Sequence, residues 1–124
     1  MKILVIDDEK NVRSTICENL ELCGYEVMQA TDGENGLEII DAEDPPQLVI
    51  TDIIMPRKEG LETIMQLRKI YPAMKVIAIS GGGRTRTMDF LALAEKLGAN
   101  AVLPKPIDLD ELERTVKSLS GASS

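Results

Sequence analysis

The stretch Lys2-Ile3-Leu4-Val5-Ile6-Asp7-Asp8 is an unbroken apolar run that stops at two adjacent carboxylates. A continuous apolar run, as opposed to an alternating one, indicates a strand covered on both faces, and hence a parallel sheet between layers of helix. Val76-Ile77-Ala78-Ile79 reads the same way. Further apolar runs at 25–30, 47–52 and 100–103 join those at 2–6 and 74–79, and all alternate with segments of helical period. That pattern predicts five β/α units. With right-handed crossovers they form an α/β, doubly wound, five-stranded parallel sheet. Each helical segment has one stripe to bury: Val12, Ile16, Leu20 and Cys23; Leu61, Ile64, Leu67 and Tyr71; Phe90, Leu93, Ala94 and Leu97; Leu109, Leu112, Val116 and Leu119. Gly24, Asp44-Pro45-Pro46, Tyr71-Pro72 and Gly98 punctuate the helix ends.

The chain of 124 residues fits one compact domain, expected over 1–120, with 121–124 as a short C-terminal tail and no output domain. Fourteen basic residues against 21 acidic ones give a net charge of −7, which argues against direct binding to nucleic acid or an anionic membrane. Cys17 and Cys23 make neither a CxxC nor a zinc spacing and read as reduced packing residues. With no histidine, the chain has no imidazole to serve as nucleophile, base, ligand or phosphate donor. No long apolar stretch and no signal-peptide pattern is present, so a cytoplasmic location is expected.

In open parallel sheets the functional crevice lies outside the carboxyl ends of the strands, where strand order reverses. Asp7 and Asp8 fall at one such end, and Asp52 closes Leu48-Val49-Ile50-Thr51 at another. Ser80 and Lys105 follow two further strands. Three carboxylates drawn together repel and raise one another's pKa unless a cation holds them. A hard divalent ion, Mg²⁺ or Mn²⁺, together with Lys105, balances them. A carboxylate in that setting can attack a phosphoryl group, with Lys105 stabilising its oxygens and Ser80 donating to the new phosphate.

Ile3-Leu4-Val5-Ile6-Asp7-Asp8-Glu9, Asp52-Ile53-Ile54-Met55-Pro56, Ile79-Ser80-Gly81 and Leu103-Pro104-Lys105-Pro106 together resemble the receiver domains of two-component response regulators, over nearly the whole chain. The resemblance implies a flavodoxin-like fold with strand order 2-1-3-4-5. It implies Asp52 as phosphoacceptor, Asp8 as a direct metal ligand, Asp7 acting through water, and Ile54 supplying a backbone carbonyl to the ion. Ser80 is then the switch hydroxyl, Lys105 the counter-charge to the phosphate, and Lys105–Pro106 a cis peptide. The implied function is Mg-dependent phosphoryl transfer from a sensor histidine kinase or histidine phosphotransfer protein to Asp52. Transfer switches binding to a downstream protein target, and the protein is not a turnover enzyme.

Three features depart from the family pattern. Val102 stands where relatives often carry Tyr or Phe, which removes the usual aromatic reporter. Gly81-Gly82-Gly83 with Arg84 and Arg86 predicts a pliable loop that closes over the phosphate. Ile54 is apolar where relatives orient an attacking water, which predicts slow self-dephosphorylation. Glu9, Asp32, Glu34, Asp41 and Asp44 read as surface, turn and capping acids without chemistry, and Met88 and Leu91 as scattered exposed apolar residues. Three rival readings remain. A receiver fragment of a larger regulator or hybrid kinase shares every motif. An aspartyl-phosphate phosphatase of the dehalogenase type needs Asp-x-Asp where position 54 is Ile, and a flavodoxin needs a phosphate loop where the acid pair stands.

Overall fold

The structure is a computed structural model that describes residues 1–53, 59–80 and 92–120. Five strands, β1 (Lys2–Ile6), β2 (Glu26–Ala30), β3 (Leu48–Asp52), β4 (Lys75–Ser80) and β5 (Ala101–Pro104), form one sheet in the order β2-β1-β3-β4-β5. Every pairing is parallel, and the expected order 2-1-3-4-5 is the one observed. The helices are α1 (Lys10–Leu22), α2 (Gly33–Ile39), α3 (Glu59–Ile70), α4 (92–96) and α5 (Leu109–Leu119).

The two faces of the sheet build two sides of a core. Ile3, Val5, Leu48, Ile50, Ile77, Ile79 and Leu103 pack on Ile16, Cys17 and Leu20 of α1 and Leu112 and Val116 of α5. The alternate residues Leu4, Ile6 and Val49 meet Leu67 of α3 with Met74, while Val76 and Ala78 meet Leu61 and Ile64 of α3 and Ala94 of α4. Alternation on a doubly covered sheet thus explains why, after the lysines that open β1 and β4, the strands β1, β3 and β4 carry no polar position until their carboxyl ends. The register Val5↔Ile50 and Ile6↔Thr51 brings the ends of β1 and β3 level, so Asp7 and Asp52 emerge side by side.

Helix ends follow local chemistry. Asp32 caps α2 by accepting from Asn35 N–H at 2.7 Å, and Asp108 caps α5 by accepting from Asp110 and Glu111 N–H at 3.0 and 3.2 Å. A Cβ on Gly33 would overlap the Thr63 hydroxyl, so the start of α2 lies against α3 at a separation only glycine permits. At the opposite end of the sheet from the acids, Arg68 of α3 donates to the carbonyls of Gly98 (2.7 Å), Pro72 (3.0 Å) and Met74 and to Asn100 Oδ1. Gly98, at φ +116°, supplies a left-handed turn there.

Three sequence expectations need correction. Helix α2 stops at Ile39 and does not run on to Asp44: Ile40 turns extended and is buried, and Asp41 starts a separate turn that Asp44 N–H closes on its carbonyl at 3.0 Å. Cys23 is not on the buried stripe of α1; it caps the helix end and is exposed, and Cys17 takes the core position. Burial pushes the Cys17 thiol up to about 11, which leaves it protonated and inert near neutral pH. Leu93 of α4 is 42% exposed, so the buried face there is carried by Ala94 with Leu97. Met88, Phe90, Leu91, the loop 81–86 and the tail 121–124 lie outside the described residues.

Candidate functional site

Asp7 follows β1 directly and is fully buried, with its N–H bonded to the Ala30 carbonyl at 3.2 Å. Its Oδ1 accepts from the Glu9 N–H at 2.8 Å, and its own carbonyl accepts from Arg13 Nη1 at 2.7 Å. Arg13 also reaches Gln29 Oε1 at 3.2 Å, tying α1 to β2 beside the site. Asp8 is exposed, whereas Asp52, the last residue of β3, is 2% exposed. Lys105 follows β5 and is anchored to β4 by its N–H, which donates to the Ser80 carbonyl at 2.8 Å; the Lys105–Pro106 peptide is cis.

The lysine ties the acids together. Its Nζ lies 2.7 Å from Asp52 Oδ2, 3.2 Å from Asp7 Oδ2 and 3.4 Å from Glu9 Oε1. One carboxylate oxygen from each of Asp7, Asp8, Glu9 and Asp52 fits within a 4.8 Å circle of mutual distances. Burial raises the pKa of Asp7, the charge of Asp52 adds to the rise, and the Glu9 N–H and Lys105 oppose it. Burial alone would lower Lys105, but its hydrogen bond and charge pairing with Asp52, and then the charge of Asp7, outweigh that and lift the ammonium above its ordinary value. Lys105 is therefore a permanent cation here.

Of the residues singled out in the sequence, Asp7, Asp8, Asp52 and Lys105 come together. Ser80 stands at the end of the neighbouring strand, in the same row as Val76 and Ala78, fully buried, and its Oγ has no hydrogen-bond partner among the described residues. Ile54 lies outside the described residues. Val102 packs against the cluster of Ile53, Leu61, Ile64, Val76 and Ala78, and its branched side chain has one strongly preferred rotamer where a ring could turn. Glu9, which reads from sequence as a plain surface acid, belongs to the cluster. The signal that could have found it is its place directly after the acid pair.

The donor set suits a hard divalent ion. It is all oxygen, it combines exposed with buried carboxylates, and Asp7 Oδ2 accepts no hydrogen bond among the described residues, its 3.2 Å approach to Lys105 being an ion pair without hydrogen-bond alignment. Mg²⁺ or Mn²⁺ fits such a site.

A buried carboxylate next to another one costs stability when no cation is bound. Because folded Asp7 keeps its proton to higher pH than in the unfolded chain, the folded state binds more protons in that interval. The contribution of Asp7 to stability therefore falls as pH rises through the interval and returns toward acid. Asp7→Asn is expected to stabilise the metal-free protein by about 1 kcal/mol near neutral pH and to flatten this pH dependence, since it removes the charge but keeps an acceptor for Glu9 N–H. Thermal melts from pH 5 to 8 without divalent ions check it; a lower midpoint for the variant would refute it.

A parallel 2-1-3-4-5 sheet with acids after β1 and at the end of β3 and a lysine after β5 defines a receiver domain. The sequence matches the response regulator receiver domain family over residues 3–117, and the chain belongs to that family, which serves two-component signalling. Receivers of this family are signalling domains and not turnover enzymes. The chain is 35% identical over 119 residues to the response regulator MprA of Mycolicibacterium vanbaalenii, and 32% identical over 118 residues to the transcriptional regulatory protein CpxR of Escherichia coli K12. Those matches cover 96% and 95% of this chain but 50% and 48% of the relatives, so the chain spans about half the length of the curated relatives it matches. Among solved structures, a receiver domain protein from Clostridium thermocellum superposes with a TM-score of 0.87 at 35% identity, covering 98% of this chain and 95% of that one. NtrX from Brucella abortus superposes at 0.88 with 30% identity, covering 98% of this chain and 27% of that one. Among the described residues no helix is long and apolar enough to cross a membrane.

Proposed function

We propose that the protein is a phosphoacceptor: Asp52 takes a phosphoryl group from a phosphohistidine on a sensor histidine kinase or a histidine phosphotransfer protein. One observation carries this reading, namely the Lys105 ammonium spanning Asp52 at 2.7 Å and Asp7 at 3.2 Å at the carboxyl ends of parallel strands. A carboxylate oxygen of Asp52 forms the new O–P bond as the P–N bond of the donor breaks. The electron pair stays on the imidazole nitrogen, which takes a proton from water. Lys105 follows the charge onto the phosphoryl oxygens and need not be recruited, because it already faces Asp52. Asp7 and Asp8, with Asp52 and the carbonyl of Ile54, would hold Mg²⁺ or Mn²⁺. When bound, the ion neutralises charge on the phosphoryl oxygens.

Ser80 is the switch hydroxyl in this reading: a buried hydroxyl without a hydrogen-bond partner among the described residues can donate to the new phosphate. The added charge then biases a two-state element beyond the carboxyl end of β4 toward a form that binds a downstream protein target or passes the phosphoryl group onward. The acidic surface, with a net charge of −7, favours protein partners over nucleic acid or membrane, in the cytoplasm.

Incubation with acetyl phosphate and Mg²⁺ should add one phosphoryl group by intact mass, and prior chelation with EDTA should prevent it. The absence of any adduct in the presence of metal would overturn the reading.

A further inference from the structure

Glu9 has no part in the phosphoryl chemistry proposed above, yet its carboxylate belongs to the acid cluster. It occupies the N-cap of α1 with ordinary cap backbone angles, φ −87° and ψ 110°, and its side chain makes no capping hydrogen bond. The short side chains that cap helices, Ser, Thr, Asp and Asn, bend back to accept from the second or third helical N–H, whereas the longer Glu9 is free to reach elsewhere. The Glu9 side chain instead reaches the cluster, where Oε1 stands 3.4 Å from Lys105 Nζ, across 96 positions of sequence. Its backbone N–H meanwhile fixes Asp7 Oδ1 at 2.8 Å.

Exposure separates Glu9 from its neighbours: its side chain is 63% exposed, against 0% for Asp7, 3% for Asp52 and 12% for Lys105. It is the rim of the site, with Asp8. An exposed pair of this kind adds little to stability, so its effect is on what approaches. Among the described side chains of the cluster, four carboxylates against the Lys105 ammonium leave three formal negative charges and a divalent ion still leaves one, while Arg13 sits behind them on the Asp7 carbonyl at 2.7 Å. Without Glu9 the set of Asp7, Asp8, Asp52 and Lys105 with a divalent ion carries no net formal charge.

We propose that Glu9 is a specificity-determining residue: its carboxylate keeps the entrance negative, which strengthens divalent-cation binding and slows small anionic phosphodonors in proportion to their charge. This rests on the phosphoacceptor reading. Local charge acts on cation and donor with opposite sign, and at the rim salt screens both.

The test compares wild type, Glu9→Gln and, as a control, Glu18→Gln, which removes an equal charge from an exposed position of α1 away from the acids. Mg²⁺ affinity is read by calorimetry without any donor. Labelling by acetyl phosphate, a dianion, and by phosphoramidate, a monoanion, is read at saturating Mg²⁺. Glu9→Gln is expected to weaken Mg²⁺ binding about three- to tenfold, as one unit charge a few ångströms from a divalent ion at high dielectric predicts. It should speed acetyl phosphate labelling by a similar factor and phosphoramidate labelling by less, with both differences closing as salt is raised, while Glu18→Gln tracks wild type. Unchanged affinity and rates in Glu9→Gln, or equal changes in Glu18→Gln, would overturn the assignment and leave the phosphoacceptor reading standing. A wild type that neither binds Mg²⁺ nor takes a phosphoryl group would overturn both.

Discussion

Asp52→Asn leaves a folded protein that takes up no phosphoryl group: after acetyl phosphate and Mg²⁺, its intact mass stays that of the unmodified chain. The amide oxygen is a far weaker nucleophile than a carboxylate, so labelling should drop by at least about a hundredfold, to the floor of the assay. Folding should survive because the substitution keeps the shape of a residue that is 2% exposed at the end of a fully buried strand. Lys105 still faces Asp7 and Glu9, at 3.2 and 3.4 Å, and so is not stranded. An adduct of undiminished yield on this variant would place the acceptor elsewhere, and peptide mapping would locate it.

Lys105→Ala should have the largest effect on stability of any change at the site. It removes the ammonium that, among the described residues, faces both Asp7 and Asp52, two carboxylates whose side chains are 0% and 3% exposed. Removing one partner of a fully buried pair costs about 3–5 kcal/mol; a carboxylate that can take up a proton reduces this, and we expect about 2–3 kcal/mol in metal-free buffer near neutral pH. The loss should shrink at mildly acidic pH, where Asp7, whose pKa is already raised by burial, protonates more readily. Millimolar Mg²⁺ should restore part of it by binding only the folded state. Chemical denaturation with and without Mg²⁺ measures both effects, and a variant as stable as wild type without metal would show that the lysine does not offset the acids.

Much of this was legible in the sequence because the relevant forces are local or periodic. An apolar run such as Ile3-Leu4-Val5-Ile6 has one solution in a soluble chain, a strand covered on both sides, and the first polar residue after it must lie at the sheet's edge. Asp7, Asp52 and Lys105 were found that way, each from its own strand. At the edges of a stripe periodicity failed: Cys17 and not Cys23 lies in the core of α1, and Leu93, placed on the same stripe as Ala94, points outward beside it. A stripe three or four residues apart is compatible with either choice until the packing partner is known. Proline marks where a helix cannot be, which is not where it ends, and so α2 stops at Ile39, several residues before Pro45. Glu9 was missed for a further reason. Its neighbours in sequence advertise a cap, while its partner, Lys105, comes from the far end of the chain.

The level alignment of Val5 with Ile50 and of Ile6 with Thr51 bears on fidelity as well as on geometry. No short piece of this chain contains the site; β1, β3 and β5 each bring one essential charge, and a one-residue slip between β1 and β3 would turn Asp52 to the wrong side of the sheet. On the phosphoacceptor reading proposed above, a nascent, misfolded or aggregated copy would be mute, able neither to accept the mark nor to pass it on. Signal strength would then count correctly assembled molecules only, with the sheet as its own proofreader.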